Sequence, residues 1–176
     1  MPLPRLTLHL ACLACLTLAL LCAWPAHADE ISDVRAMLAR GDAEAALQRA
    51  EAASKAQPRD AQLRFLQAVA LMDLKRDDEA LALFTRLSQE YPELPDPQNN
   101  IALLQARAGR LELARQALEA ALRNDPSHRL ARTNLGQVYL MLAVQAWEQA
   151  AVGGQLEPAL QRRLEAVRAL LQAPAR

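Results

Sequence analysis

Apolar residues recur at helical spacing along most of this chain, and short polar clusters interrupt them at even intervals. Leu63, Leu66 and Ala70 form one stripe, and Ala80, Phe84 and Leu87 form the next at i, i+4, i+7. Between them the run KRDDE supplies a polar turn, in which Asp77 or Asp78 is suited to cap the helix that follows. The same order returns further on. Ile101, Leu104 and Ala108 lead to Gly109, a residue suited to the left-handed position that ends a helix. Leu111, Ala114, Leu118 and Ala121 then make a second stripe. The pattern predicts pairs of amphipathic helices joined by tight turns.

The pairs repeat. Pro58, Pro92 and Pro126 are spaced by 34 residues, and so are Ala46, Ala80 and Ala114. Gly41 and Gly109 lie two such periods apart, with Lys75 midway. The stretch LPDPQNNIA, residues 94 to 102, is therefore a joint: Pro92 closes one unit, while Pro95 and Pro97 stiffen the passage into the next. Past Pro126 the pattern restarts with Leu135, Gly136 and Tyr139, but the turn due near residue 143 is missing. Ala143, Trp147 and Ala150 carry the second-helix spacing five residues early, so residues 129–152 read as one long helix. Gly153 and Gly154 end it, and Pro158 suits the first turn of a last helix. There Leu160, Leu164, Val167 and Leu171 are expected to face inward, and Arg162, Arg163, Glu165 and Arg168 to face water.

These residues resemble the tetratricopeptide repeat, a 34-residue helix–turn–helix unit with a small residue at position 8, Ala at 20, a bulky apolar residue at 24 and Pro at 32. The unit ending at Pro126 supplies Ala102, Gly109, Ala114, Leu118 and Pro126, and the unit ending at Pro92 supplies Ala68, Ala80, Phe84 and Pro92. The unit ending at Pro58 keeps Val34, Gly41, Ala46 and Pro58, and Gly136 opens an incomplete fourth. The resemblance implies an all-α solenoid of about three repeats plus a long helix and a C-terminal capping helix. The expected segments are a degenerate repeat over 29–60, repeats over 61–94 and 95–128, the long helix over 129–152, and the cap over 156–173.

In that family the first helix of each unit lines a concave face. The corresponding places give Phe65, Val69 and Met72, then Asn99, Asn100 and Arg107, then Thr133, Asn134 and Gln137. Asn100 and Asn134 stand one period apart and are expected to stack on neighbouring helices. Side-chain amides there can pair with the peptide groups of a docked chain, beside an apolar patch from Phe65, Val69 and Met72. The alternative is that the amides satisfy backbone groups or face water. Some relatives grip a C-terminal carboxylate with two Lys, two Asn and one Arg. Phe65, Val69, Leu130 and Asn134 replace four of those five, and only Asn100 matches, which argues against that ligand.

The first 28 residues read as a signal peptide, with Arg5, an apolar run, and Ala26-x-Ala28 as the processing site. Its removal takes Cys12, Cys15 and Cys22, leaving a domain without thiols. An anchor retained over residues 6–24 is the alternative. Apolar residues make up 52% of the chain but aromatics only 3%, so the core must be built from Ala and Leu. A formal net charge of zero gives no field that would favour nucleic acid.

Candidate chemistry is sparse. His128, in NDPSHR, is expected to be a solvated turn residue, and Asp77-Asp78-Glu79 fits helix capping rather than a cation loop. Neither a catalytic set, a metal site nor a cofactor loop is expected. The resemblance implies a non-catalytic scaffold that binds a protein or peptide partner. Its Ala, Leu and Arg usage resembles that of exported Gram-negative proteins, which points to the periplasm and to envelope biogenesis or secretion. A membrane-anchored accessory subunit of an envelope complex is the alternative.

Overall fold

The computed structural model describes residues 25–172, and within them the chain is helical throughout with short turns. The signal-like residues 1–24 lie outside the described residues. Two compact units divide at Arg76 and Asp77. The first unit holds α1 (Pro25–Ala39), α2 (Ala43–Ala56) and α3 (Ala61–Asp73). The second holds α4 (Asp77–Glu90), α5 (Pro95–Arg107), α6 (Leu111–Asn124), α7 (Arg129–Val152) and α8 (Pro158–Gln172).

The period seen in the sequence governs the helix ends. The starts of α2, α4 and α6, and those of α3, α5 and α7, each advance by the same interval that separates the prolines. Turn chemistry recurs with it. Gly41, Lys75 and Gly109 all adopt left-handed backbone, with φ of 82°, 62° and 73°. After each, a backbone N–H reaches back five residues: Asp42 to Met37 O at 3.0 Å, Arg76 to Leu71 O at 2.9 Å, Arg110 to Gln105 O at 2.9 Å. This is the Schellman closure, which satisfies carbonyls left over at a helix end. Lys75 is the one non-glycine in the left-handed region among the described residues. A Cβ there is strained, by about 1–2 kcal/mol in helical contexts. Lys75→Gly is therefore expected to raise stability by about 0.5–1 kcal/mol, read as a higher urea midpoint at unchanged m-value.

In the first unit α2 packs on both α1 and α3. Val34, Ala46, Leu47, Ala50, Leu63, Leu66, Ala68 and Ala70 are buried there. Small residues dominate because they let helix backbones approach closely, and dispersion contacts between them add up. Asp60 caps α3, its carboxylate accepting from the N–H groups of Gln62 at 2.7 Å and Leu63 at 3.0 Å.

In the second unit α5 packs against α4 and α6, and α7 packs chiefly against α6. Ala102, Ala114, Ala117, Leu118, Ala121, Ala131 and Val138 form one buried cluster. Two prolines open α5, with Pro97 buried, where the missing N–H costs nothing. No turn occurs near residue 143: α7 continues unbroken for 24 residues to its cap at Gly153. The closing helix α8 buries Leu164 and is tied to α7 by Arg168, whose Nη2 lies 2.5 Å from Glu148 Oε1.

Candidate partner-binding cleft

A cleft of about 190 Å³ opens in the second unit where α5 passes α7. Ala102, Leu103 and Ala106 line it from α5, Val138 and Met141 from α7, and Leu118 from α6. Asn134 and Gln137 stand at its edge on α7. Small-molecule pockets measure roughly 300–1,000 Å³, so this cleft is scaled to a side chain rather than to a drug-sized ligand or cofactor. Ala102 and Ala106, being small, leave the space; Val138 and Met141 give it an apolar wall.

Asn134 is held in place. Its Nδ2 donates to Asn99 Oδ1 at 2.9 Å. Asn99 is only 2% exposed, so this bond is the internal partner that a buried amide requires. One Nδ2–H and the carbonyl oxygen of Asn134 remain to serve the cleft.

The amide pairing differs from the expected one. Asn134 meets Asn99, not Asn100. The Nδ2 of Asn100 turns back onto its own helix and donates to Asp96 O at 2.9 Å. Asn99 and Asn100 are only about 100° apart around a helix, so a repeat count cannot say which points between helices. Arg107 is engaged as well, with Nη1 3.0 Å from Asp77 Oδ1. That pair edges a smaller, charged cleft of about 130 Å³ with Asp78, Leu81, Leu104 and Arg110. Thr133 donates its hydroxyl to Arg129 O at 3.0 Å and is exposed. Phe65, Val69 and Met72 lie half-buried on α3 in the first unit.

His128 is not the solvated turn residue the sequence suggests. It caps α7, its Nδ1 accepting from the N–H of Ala131 at 3.0 Å. The tautomer follows from that bond: Nε2 carries the proton and donates to Asp96 Oδ1 at 3.1 Å. The ring thus ties the start of α7 to the start of α5, one end of the helix pair that frames the cleft. A signal was present. His128 lies two periods after Asp60, the cap of α3, and Leu94 occupies the same slot between them. Nearby, the Ser127 hydroxyl and N–H both donate to Asp125, holding its carboxyl below the usual carboxylate range. Among the described residues no group of His, Cys, Asp and Glu is arranged to hold a metal.

Comparison with known proteins fits this architecture. The family model described as Tetratricopeptide repeat matches residues 34–95 and 99–155, more than half of the chain. This chain belongs to the tetratricopeptide repeat family. Among solved structures, the first tetratricopeptide domain of human RPAP3 is similar with a TM-score of 0.61 and 18% identity, over 65% of this chain and 90% of that one. The first such domain of Spaghetti (RPAP3), bound to the HSP90 peptide SRMEEVD, gives 0.59 and 18% over the same shares. The second domain of human RPAP3, in complex with the HSP70 peptide SGPTIEEVD, gives 0.57 and 20%, over 62% of this chain and 92% of that one. No significant match was found among curated protein sequences. At such identities the likeness is one of fold.

Proposed function

We propose that this tetratricopeptide protein is a non-catalytic scaffold that holds a segment of a partner protein against the α5–α7 cleft. The observation that carries the reading is the cleft itself: an apolar hollow of side-chain size with a fixed amide at its rim. An apolar side chain of the guest fills the hollow, and Asn134 and Gln137 pair with the guest backbone beside it. Two fold neighbours are seen with bound peptides, which supports a peptide as the guest. Their acidic peptides are not the model for this site. No cation lines the cleft, and Asn100, the only match to the carboxylate clamp, is not among its lining residues and turns one Nδ2–H back onto Asp96 O.

The test is a photo-crosslinking residue placed at Gln137 in cells, with the adduct identified by mass spectrometry. An adduct that disappears on Met141→Glu, while the melting temperature stays unchanged, supports the cleft. An adduct that survives Met141→Glu removes it as the site.

Export places this scaffold in the periplasm of a Gram-negative cell, serving envelope biogenesis or secretion. The Ala26-x-Ala28 pattern supports that reading. Among the described residues no helix is long and apolar enough to cross a membrane. A mature protein beginning at Asp29 by mass spectrometry is the expected result; a mass retaining residues 1–28 would favour the anchored form.

A further inference from the structure

In the third repeat, Ala102 of α5 is buried in one cluster with Ala114, Leu118 and Ala121 of α6, the second helix of its own unit. One period later its counterpart is Gly136 on α7, and there no second helix packs, because α8 follows only after the long helix and binds α7 further along, at Glu148. Gly136 is exposed, and a Cβ built on it would meet nothing within 4 Å. The place that a neighbouring helix fills at Ala102 is open at Gly136.

The side of α7 that faces this opening is apolar. Gly136, Tyr139, Leu140, Ala143, Trp147 and Ala150 fall within about 100° of arc. Tyr139 is 48% exposed and Leu140 37%, and Ala143 and Trp147 are half-buried. Glu148 is the sole charged residue from 133 to 152, and Arg168 of α8 takes it. Exposed positions of α4 and α6, by contrast, carry Asp78, Glu79, Arg86, Glu112 and Arg123. At its edge the Tyr139 hydroxyl donates to Glu119 Oε1 of α6 at 3.3 Å, but the face carries no charge of its own, and a partly exposed helix face of that kind has the composition of an interface core.

The face also reads the same in both directions. Tyr139 and Trp147 stand four residues either side of Ala143, and Gly136 and Ala150 stand seven either side. A two-fold axis near Ala143 therefore lays the aromatic of one antiparallel copy against that of the other, and small against small. This is the self-complementarity an isologous contact requires. Ala143, Trp147 and Ala150 also repeat the spacing of Ala114, Leu118 and Ala121 on α6. With the turn deleted, that segment cannot fold back on its own helix, but it can serve a second copy.

We propose that two copies of this chain pair through α7, antiparallel, each supplying residues 143–150 as the missing second helix for the other's residues 129–142. Asn134, Val138 and Met141 lie roughly 140–200° around α7 from Gly136, so the pairing leaves the cleft open and stands or falls apart from it. The contact is one helix long, at the small end of specific interfaces, so the dimer dissociates on dilution.

Sedimentation over a concentration series tests this. The wild type is expected to pass from monomer to dimer, and both Ala143→Glu and Leu140→Glu to weaken dimerisation by about tenfold or more. Circular dichroism melts confirm that each variant is folded. With Cys12, Cys15 and Cys22 replaced by Ser, Ala143→Cys should give a covalent dimer with a short bis-maleimide, and Arg86→Cys should not. A folded wild type that stays monomeric at every concentration, as it would if lipid or another protein covers this face, overturns the proposal. So does a dimer that both Glu variants leave intact.

Discussion

Phe84→Ala is expected to cost about 3–5 kcal/mol, seen as a large fall in the urea midpoint followed by far-UV circular dichroism. Phe84 is fully buried on α4 and is among the largest fully buried side chains of the described residues. Its surroundings are poor in bulk. Aromatics make up 3% of the chain, and most buried positions are Ala or Leu, whose short side chains cannot swing in to refill the void. The cost then combines the lost transfer energy with that of a cavity that stays open. Phe84→Leu should recover most of it. A Phe84→Ala loss below about 1 kcal/mol would mean that the site collapses freely, and that the repeat's bulky position is not a structural one.

Ala114→Leu is the opposite experiment, expected to cost about 1–3 kcal/mol by overpacking. Ala114 has no exposed surface and sits in the cluster that joins α5, α6 and α7. A methyl group there sets how closely α5 and α6 approach. An isobutyl group must either push them apart or adopt a strained rotamer. Thermal melts of the variant beside the wild type check it. Unchanged melting would show that the helix pair is held by something other than close contact at the recurring alanine.

Much of this fold is legible because the costs of error are local and large. A proline inside a helix, or a bulky residue between two close helices, is penalised wherever it falls, so Pro92, Pro126, Ala80 and Ala114 mark the period plainly. Ala46, Ala80 and Ala114 are all fully buried. The site is less legible because its decisions are angular. One residue of rotation separates Asn99, which is buried against Asn134, from Asn100, which bonds its own backbone. His128 was hidden for another reason. Histidine is not a usual capping residue, and its role shows only when Asp60 and His128 are compared as occupants of one recurring slot. The left-handed Lys75 was likewise marked by its place midway between two glycines, though its residue type argues against that backbone.

A core of alanine and leucine has a practical consequence for anyone watching this protein unfold. Trp147 is the only tryptophan among the described residues, and it sits far along α7 in the second unit. In a protein cleaved after Ala28, which has lost Trp24, intrinsic tryptophan fluorescence reports on one end of the chain and stays dark over the first unit. Denaturation curves from emission and from ellipticity need not coincide, and a gap between them would measure how tightly melting of the first unit is linked to that of the second.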